Sequence, residues 1–135
     1  MTNSVNMPHT PSVMSLHLRY RLWIAEMNSD INILRILDDY LNAIAFKNTE
    51  PDVIAKIDYF QKQFTSARKD IDELRHEMHL LKMKLAAFSK EMKPLSYKIY
   101  QSDNHSDLKK RYLGFTKIFD KLKEEFKKFE AEYLD

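Results

Sequence analysis

The sequence predicts an all-α fold, an elongated antiparallel three-helix bundle with coiled-coil-like heptad seams. Apolar residues alternate at spacings of three and four along three long segments, which is the pattern of amphipathic helices. Gly114 is the only glycine in 135 residues, so hairpin turns and phosphate-binding glycine loops have few places to form. The prolines stand at positions 8, 11, 51 and 94, where they separate the periodic segments.

The first predicted helix covers residues 12–47. Its apolar seam is interrupted only at Asp30, and two interpretations of that residue remain open. A four-residue stutter from Met27 to Ile31 and Leu34 would move Asp30 to the flank, which the pattern favours. Alternatively, Asp30 stays in the seam and needs a cationic or hydroxyl partner there.

The second predicted helix covers residues 50–93, and the third covers residues 107–134. In the second, every seam position from Val53 to Met92 is apolar. Pro94 should end or kink it, because proline lacks a backbone donor and clashes with the preceding turn. The third helix repeats Leu, Tyr and Phe at the same spacing, with Gly114 off the seam. We expect residues 1–11 to form a flexible tail and residues 12–135 to form a single domain.

Composition and motifs argue against several functional classes. The chain contains no cysteine, which excludes disulfides and thiolate chemistry and is compatible with the cytoplasm, where we expect the protein. The N-terminal residues lack the pattern of a secretory signal, and no segment has the length and apolarity of a membrane span. No nucleophile elbow or phosphate-binding loop is present. We therefore predict a non-enzymatic protein without a cofactor.

The first helix has more apolar residues than two neighbouring helices need to cover. Beyond its seam it carries Leu22, Ile33, Ile36 and Tyr40, with Ile24 and Ile31 beside them. A helix that is apolar around most of its circumference is buried on most sides. We therefore predict a homodimer with the first helices at the interface. The alternative is that the two partner helices wrap further around the first helix.

Charge is polarised along the predicted bundle. Residues 82–111 contain eight basic and three acidic side chains, net +5, whereas residues 36–60 contain two basic and five acidic ones, net −3. The basic end could receive an anionic partner: a nucleic-acid backbone, a lipid surface or an acidic protein. Without a nucleic-acid motif, a solvated connection is favoured. The basic patch consists of Lys93, Lys98, Lys109, Lys110 and Arg111.

A Glu-x-x-His spacing, Glu73 to His76, raises the alternative of a metal-binding helical protein. Di-metal bundles use this spacing, but on two inward-facing helices with further carboxylates. Here it occurs once, and the heptad positions place His76 on the outer face. Glu77 and His79 are the other candidate ligands. The sequence therefore favours no metal site unless a second chain or ligand covers that face.

Residues 47–78, "KNTEPDVIAKIDYFQKQFTSARKDIDELRHEM", resemble a segment of an uncharacterised bacterial family of small all-helical proteins of unknown function. Residues 22–27, "LWIAEM", resemble part of the first helix of that family. The resemblance covers about half of the chain. It implies a helical fold and assigns no role to any residue. Our leading hypothesis is a helical scaffold or protein-interaction module that self-associates or binds an unknown protein partner.

Overall fold

The structure is a computed structural model in which residues 12–91 and 105–134 are described. Within these two ranges the chain forms three helices and no strand: α1, Val13–Lys47; α2, Pro51–Glu91; and α3, Ser106–Tyr133. The predicted all-α three-helix bundle is confirmed, and both ends of α1, the start of α2 and both ends of α3 lie within one residue of their predicted positions. The predicted tail and the effect of Pro94 fall outside the described residues.

The ends of α1 are set by polar side chains. Ser12 caps the first turn, where its hydroxyl accepts a hydrogen bond from the amide of Ser15 at 3.0 Å. At the other end, the backbone and side-chain amides of Asn48 both donate to the carbonyl of Ile44. Pro51 then begins α2 at a position where a helix needs no amide donor. A connection of only three residues makes α1 and α2 antiparallel neighbours.

Side-chain pairs confirm the direction of the helices. Arg75 of α2 donates to the amide oxygen of Asn28 on α1 at 2.7 Å, and Tyr59 of α2 donates to Glu125 of α3 at 3.1 Å. Arg68 of α2 forms an ion pair with Asp38 of α1. Arg111 of α3 also forms an ion pair with Glu77 of α2 at 2.6 Å. In both helix pairs the residue numbers rise along one helix as they fall along the other, so α2 is antiparallel to both neighbours. Helices α1 and α3 therefore run parallel.

The core follows the predicted seams closely. In α2 every predicted seam residue whose side chain is described is buried, namely Val53, Ile57, Phe60, Phe64, Ala67, Ile71, Leu74, Met78, Leu81 and Leu85. In α3 the buried positions are Leu108, Tyr112, Phe115, Phe119, Leu122, Phe126 and Phe129. Phenylalanine rings dominate the half of the core near the α1–α2 connection. There, Phe60 meets Phe126 edge-on, with 5.3 Å between the ring centroids.

Candidate functional site

Helix α1 carries a row of large apolar side chains on the face opposite the core. Leu22 is 57% exposed and Ile36 is 53% exposed, and Leu18 and Tyr40 are exposed on the same face. Met14 extends this row toward the start of the helix. These five residues are called the α1 stripe below. Because its members lie along one line of the helix, the stripe differs from the scattered apolar residues common on protein surfaces.

The structure divides the apolar surplus predicted for α1 into two groups. Leu22, Ile36 and Tyr40 remain exposed, as an interface requires. Ile24 is buried, while Ile31 and Ile33 are partly buried against the core. For these three residues the alternative prediction holds, because α2 and α3 wrap further around α1 than a two-sided contact would.

The sequence analysis missed Leu18 and Met14 as members of the stripe. They lie close to the predicted seam in sequence but on the other side of the helix. Leu18 stands 18 residues before Ile36, which is five full helical turns, so the two side chains face the same direction. This 18-residue spacing was the sequence signal from which Leu18 could have been assigned to the face that carries Ile36.

A second cluster, of polar and aromatic side chains, lies where α1 meets the start of α3. His105 is buried, and its Nδ1 lies 2.7 Å from the hydroxyl oxygen of Tyr20. A guanidinium nitrogen of Arg19 lies 3.4 Å from Nε2. Because arginine only donates, Nε2 carries the lone pair and the Nδ1–H donates to Tyr20.

The Trp23 ring lies between two other rings of this cluster. It stacks on Tyr112 with 4.8 Å between centroids, and it is nearly parallel to His105 at 6.2 Å. The Tyr112 hydroxyl donates to Glu26 at 2.9 Å. The cluster therefore has polar partners for its buried atoms, and we interpret it as a structural joint between α1 and α3.

Burial and neighbouring charges change the proton affinities in this region. Desolvation lowers the pKa of His105, and the nearby positive charges of Arg19 and Lys109 act in the same direction. Desolvation and the hydrogen bond to Glu26 raise the pKa of Tyr112. Both rings are therefore held in their neutral forms near neutral pH.

The burial of Asp30 is intermediate between the two predicted cases, an exposed position on the flank and a buried position in the seam. Met27 and Leu34 are fully buried on either side of it, and Asp30 itself is partly buried. Desolvation raises the pKa of its carboxyl group, and Lys123 of α3 opposes that shift. Asp30 therefore lies on the flank that faces α3, with a cationic neighbour but without full burial.

The predicted basic patch is only partly described. Lys93 and Lys98 lie outside the described residues. Lys109 and Lys110 are exposed near the start of α3. Arg111 instead bridges α3 and α2, since its guanidinium lies 2.6 Å from a carboxylate oxygen of Glu77. Arg111, one of the predicted basic residues, thus contributes to the packing of α3 against α2.

The four alternative metal ligands do not converge in one chain. Glu73, His76 and His79 are exposed on α2, as the heptad positions predicted for His76. Glu77 is engaged by Arg111. Across residues 12–91 and 105–134, no group of three or more His, Asp or Glu side chains is arranged to hold a metal ion.

Comparison with protein families, with curated protein sequences and with solved structures finds no significant match to this chain. The resemblance of residues 47–78 to a bacterial helical family therefore stays a prediction. None of the three helices, over their described residues, combines the length and apolarity needed to cross a membrane.

Proposed function

We propose that this protein is a non-enzymatic helical interaction module that self-associates through the α1 stripe. The observation that carries the proposal is the exposure of Leu22, Ile36 and Tyr40 along one line of a helix whose opposite face already fills the core. Burying one such side chain contributes about 1.5–3 kcal/mol. These side chains are already about half covered, so each contributes about half of that value, and only a contact that buries several of them from both copies offsets the cost of association.

The buried histidine at the α1–α3 joint is engaged by Tyr20 and Arg19, so its partners are structural ones. Self-association is the simplest use of an apolar face, because a second copy presents the same surface. We propose the cytoplasm as its location, with which the absence of cysteine is compatible.

Sedimentation of matched variants tests this function. We expect the wild type to sediment as a dimer at micromolar concentration. Leu22→Glu and Ile36→Glu should sediment as folded monomers, because each would place a charge in the apolar contact. Ile118→Glu is the control, since Ile118 is 63% exposed, slightly more than Leu22 and Ile36, but lies on α3. A wild type that stays monomeric at tens of micromolar would contradict the proposal.

A further inference from the structure

We propose that two copies of this chain pair antiparallel along α1, with the two-fold axis passing beside Ser29. This inference rests on the proposed function and adds the identity, direction and register of the partner helix. It is carried by three independent features of α1: the symmetry of its apolar stripe, the small residues at its centre and the distribution of its charges.

Four of the five stripe residues are symmetric about Ser29, and Met14 lies outside this symmetry. Leu22 and Ile36 stand seven residues to either side, and Leu18 and Tyr40 stand eleven residues to either side. An antiparallel two-fold axis at Ser29 therefore places Leu22 of one copy against Ile36 of the other. It also places Leu18 against Tyr40, about 16 Å from the axis at 1.5 Å per residue. Ser29 is one residue from the midpoint of Val13–Lys47, so this register overlaps nearly the whole of both helices.

Small side chains occupy the centre of the stripe. Ala25 and Ser29 are exposed, and they lie one turn apart between Leu22 and Ile36. Short side chains at a helix crossing let the two backbones approach closely, because the distance between helix axes depends on the side chains at the contact. Larger apolar residues on both sides then close the contact. A helix face that contacts only solvent would not require small residues at its centre with larger apolar residues on both sides.

Charge selects the antiparallel direction over the parallel one. Arg21 and Asp39 are both exposed and stand 18 residues apart, five full turns, so they share one flank of the stripe. In an antiparallel pair, each flank meets the same flank of the partner helix. Arg21 of one copy then faces Asp39 of the other, and this contact occurs twice. A parallel pair joins opposite flanks instead, so Arg21 of one copy would not meet Asp39 of the other and this attraction would be lost.

The polarity of the whole bundle favours the same direction. The start of α3 supplies the exposed Lys109 and Lys110 beside the start of α1. The other end carries exposed Glu50 in the connection and exposed Asp52 in the first turn of α2. Antiparallel pairing along α1 sets the basic end of each copy beside the acidic end of the other, which favours encounter in the correct orientation.

Cysteine crosslinking tests the register, because the chain contains no native cysteine. Ser29→Cys should form a covalent dimer under mild oxidation, because the two residues meet at the axis. Ser66→Cys, an exposed serine in the middle of α2, is the matched control and should not. Leu18→Cys and Tyr40→Cys should each fail to crosslink alone but crosslink when mixed, as intact mass shows.

The outcomes separate this inference from the proposed function. Crosslinking of Leu18→Cys with itself would show a parallel pair and overturn the inference. Failure of Ser29→Cys to crosslink, with a wild type that sediments as a dimer, would overturn the register and leave self-association standing. A monomeric wild type would overturn both.

Charge reversal gives a second measurement that needs no crosslinking. Arg21→Asp should weaken the dimer roughly tenfold, because two exposed ion pairs become two repulsive contacts. The double variant with Arg21→Asp and Asp39→Arg should regain wild-type affinity. In a parallel pair, Arg21 of one copy does not face Asp39 of the other, so the single reversal should leave the affinity nearly unchanged. An unchanged affinity for Arg21→Asp would therefore overturn the antiparallel direction.

Discussion

The buried imidazole of His105 lies 2.7 Å from the Tyr20 hydroxyl, so one hydrogen bond joins the start of α3 to α1 across 85 residues of sequence. Trp23 stacks beside the same imidazole and links it to Tyr112. This joint fixes the end of the bundle at which the chain enters α3. It also makes the stability of the bundle sensitive to a single hydroxyl group and to the protonation of one histidine.

Tyr20→Phe removes the hydroxyl group and should lower the free energy of unfolding by about 1–2 kcal/mol. The ring still fills its place in the core, but the Nδ1–H of His105 loses its acceptor. Chemical denaturation at pH 7 measures the change. Tyr59→Phe is the control, because its hydroxyl lies on the surface beside Glu125 and should contribute less than about 0.5 kcal/mol. Equal losses in the two variants would contradict a special role for the buried contact.

The lowered pKa of His105 predicts that stability falls as the pH drops below about 6.5, the ordinary value for histidine. Between that value and the lower pKa of the folded state, the unfolded chain binds a proton that the folded chain does not. Stability is therefore fully present above this window and decreases within it. Arg19 on α1 and Lys109 on α3 face the ring and both oppose its protonation.

His105→Gln isolates this contribution, since glutamine does not titrate. Denaturation of both proteins from pH 7.5 to pH 5 should give a steeper loss of stability for the wild type. Parallel curves would show that His105 does not titrate differently in the folded and unfolded chains.

Asp30→Asn should stabilise the protein at pH 7. Desolvation raises the pKa of the Asp30 carboxyl group from its usual 3.8, so the folded state favours the neutral form more than the unfolded state does. The protonated Asp30 carboxyl group therefore adds most to the free energy of unfolding at low pH, and this contribution is lost as the pH rises through the folded-state pKa of Asp30. We expect a gain below about 1 kcal/mol, because the group is partly solvated and loses the attraction of Lys123. Thermal unfolding checks this, and a lower melting temperature would show that the Lys123 attraction dominates.

The fold could be predicted from the sequence because burial in this bundle depends on local periodicity. Val53 through Leu85 are buried at the predicted spacing, and a heptad count needs no knowledge of the partner helix. His105 shows the limit. It stands three residues before Leu108, so the seam of α3 extends back to it. Its partner Tyr20 depends on how α1 and α3 are aligned along their axes, which no local pattern specifies.

The same reasoning explains the partial prediction of the α1 stripe. Leu22, Ile36 and Tyr40 could be assigned to an excess apolar face from the sequence alone. Whether Ile33 belongs to that face depends on how far α2 and α3 wrap around α1, and the structure partly buries it. Helix crossing geometry is set by many side chains at once. The spacing of apolar residues along one helix therefore cannot show which residues lie at the boundary between its buried and exposed faces.

Truncation of two phenylalanines on different helices should lower stability by very different amounts. Phe64 is fully buried in α2 beside Phe60 and Phe126, and Phe64→Ala should cost about 3–5 kcal/mol because it leaves a cavity. Phe46 is 91% exposed at the end of α1, so Phe46→Ala should change stability by less than about 0.5 kcal/mol. Urea denaturation of both variants measures the difference. A large loss for Phe46→Ala would show that another chain or segment covers it.

Gly114→Ala should stabilise the bundle by about 1 kcal/mol, because alanine lowers the entropy cost of forming a helix relative to glycine. Gly114 lies inside α3, and a Cβ atom added there would meet no atom within 4 Å. The substitution therefore gains helix propensity without a steric penalty. We expect a rise in melting temperature of about 3–5 °C for a domain of this size. Thr116→Ala, which changes another α3 side chain without removing a glycine, is the control and should change it less. A Gly114→Ala variant that melts at or below the wild-type temperature would contradict the prediction and would show that this position must stay open.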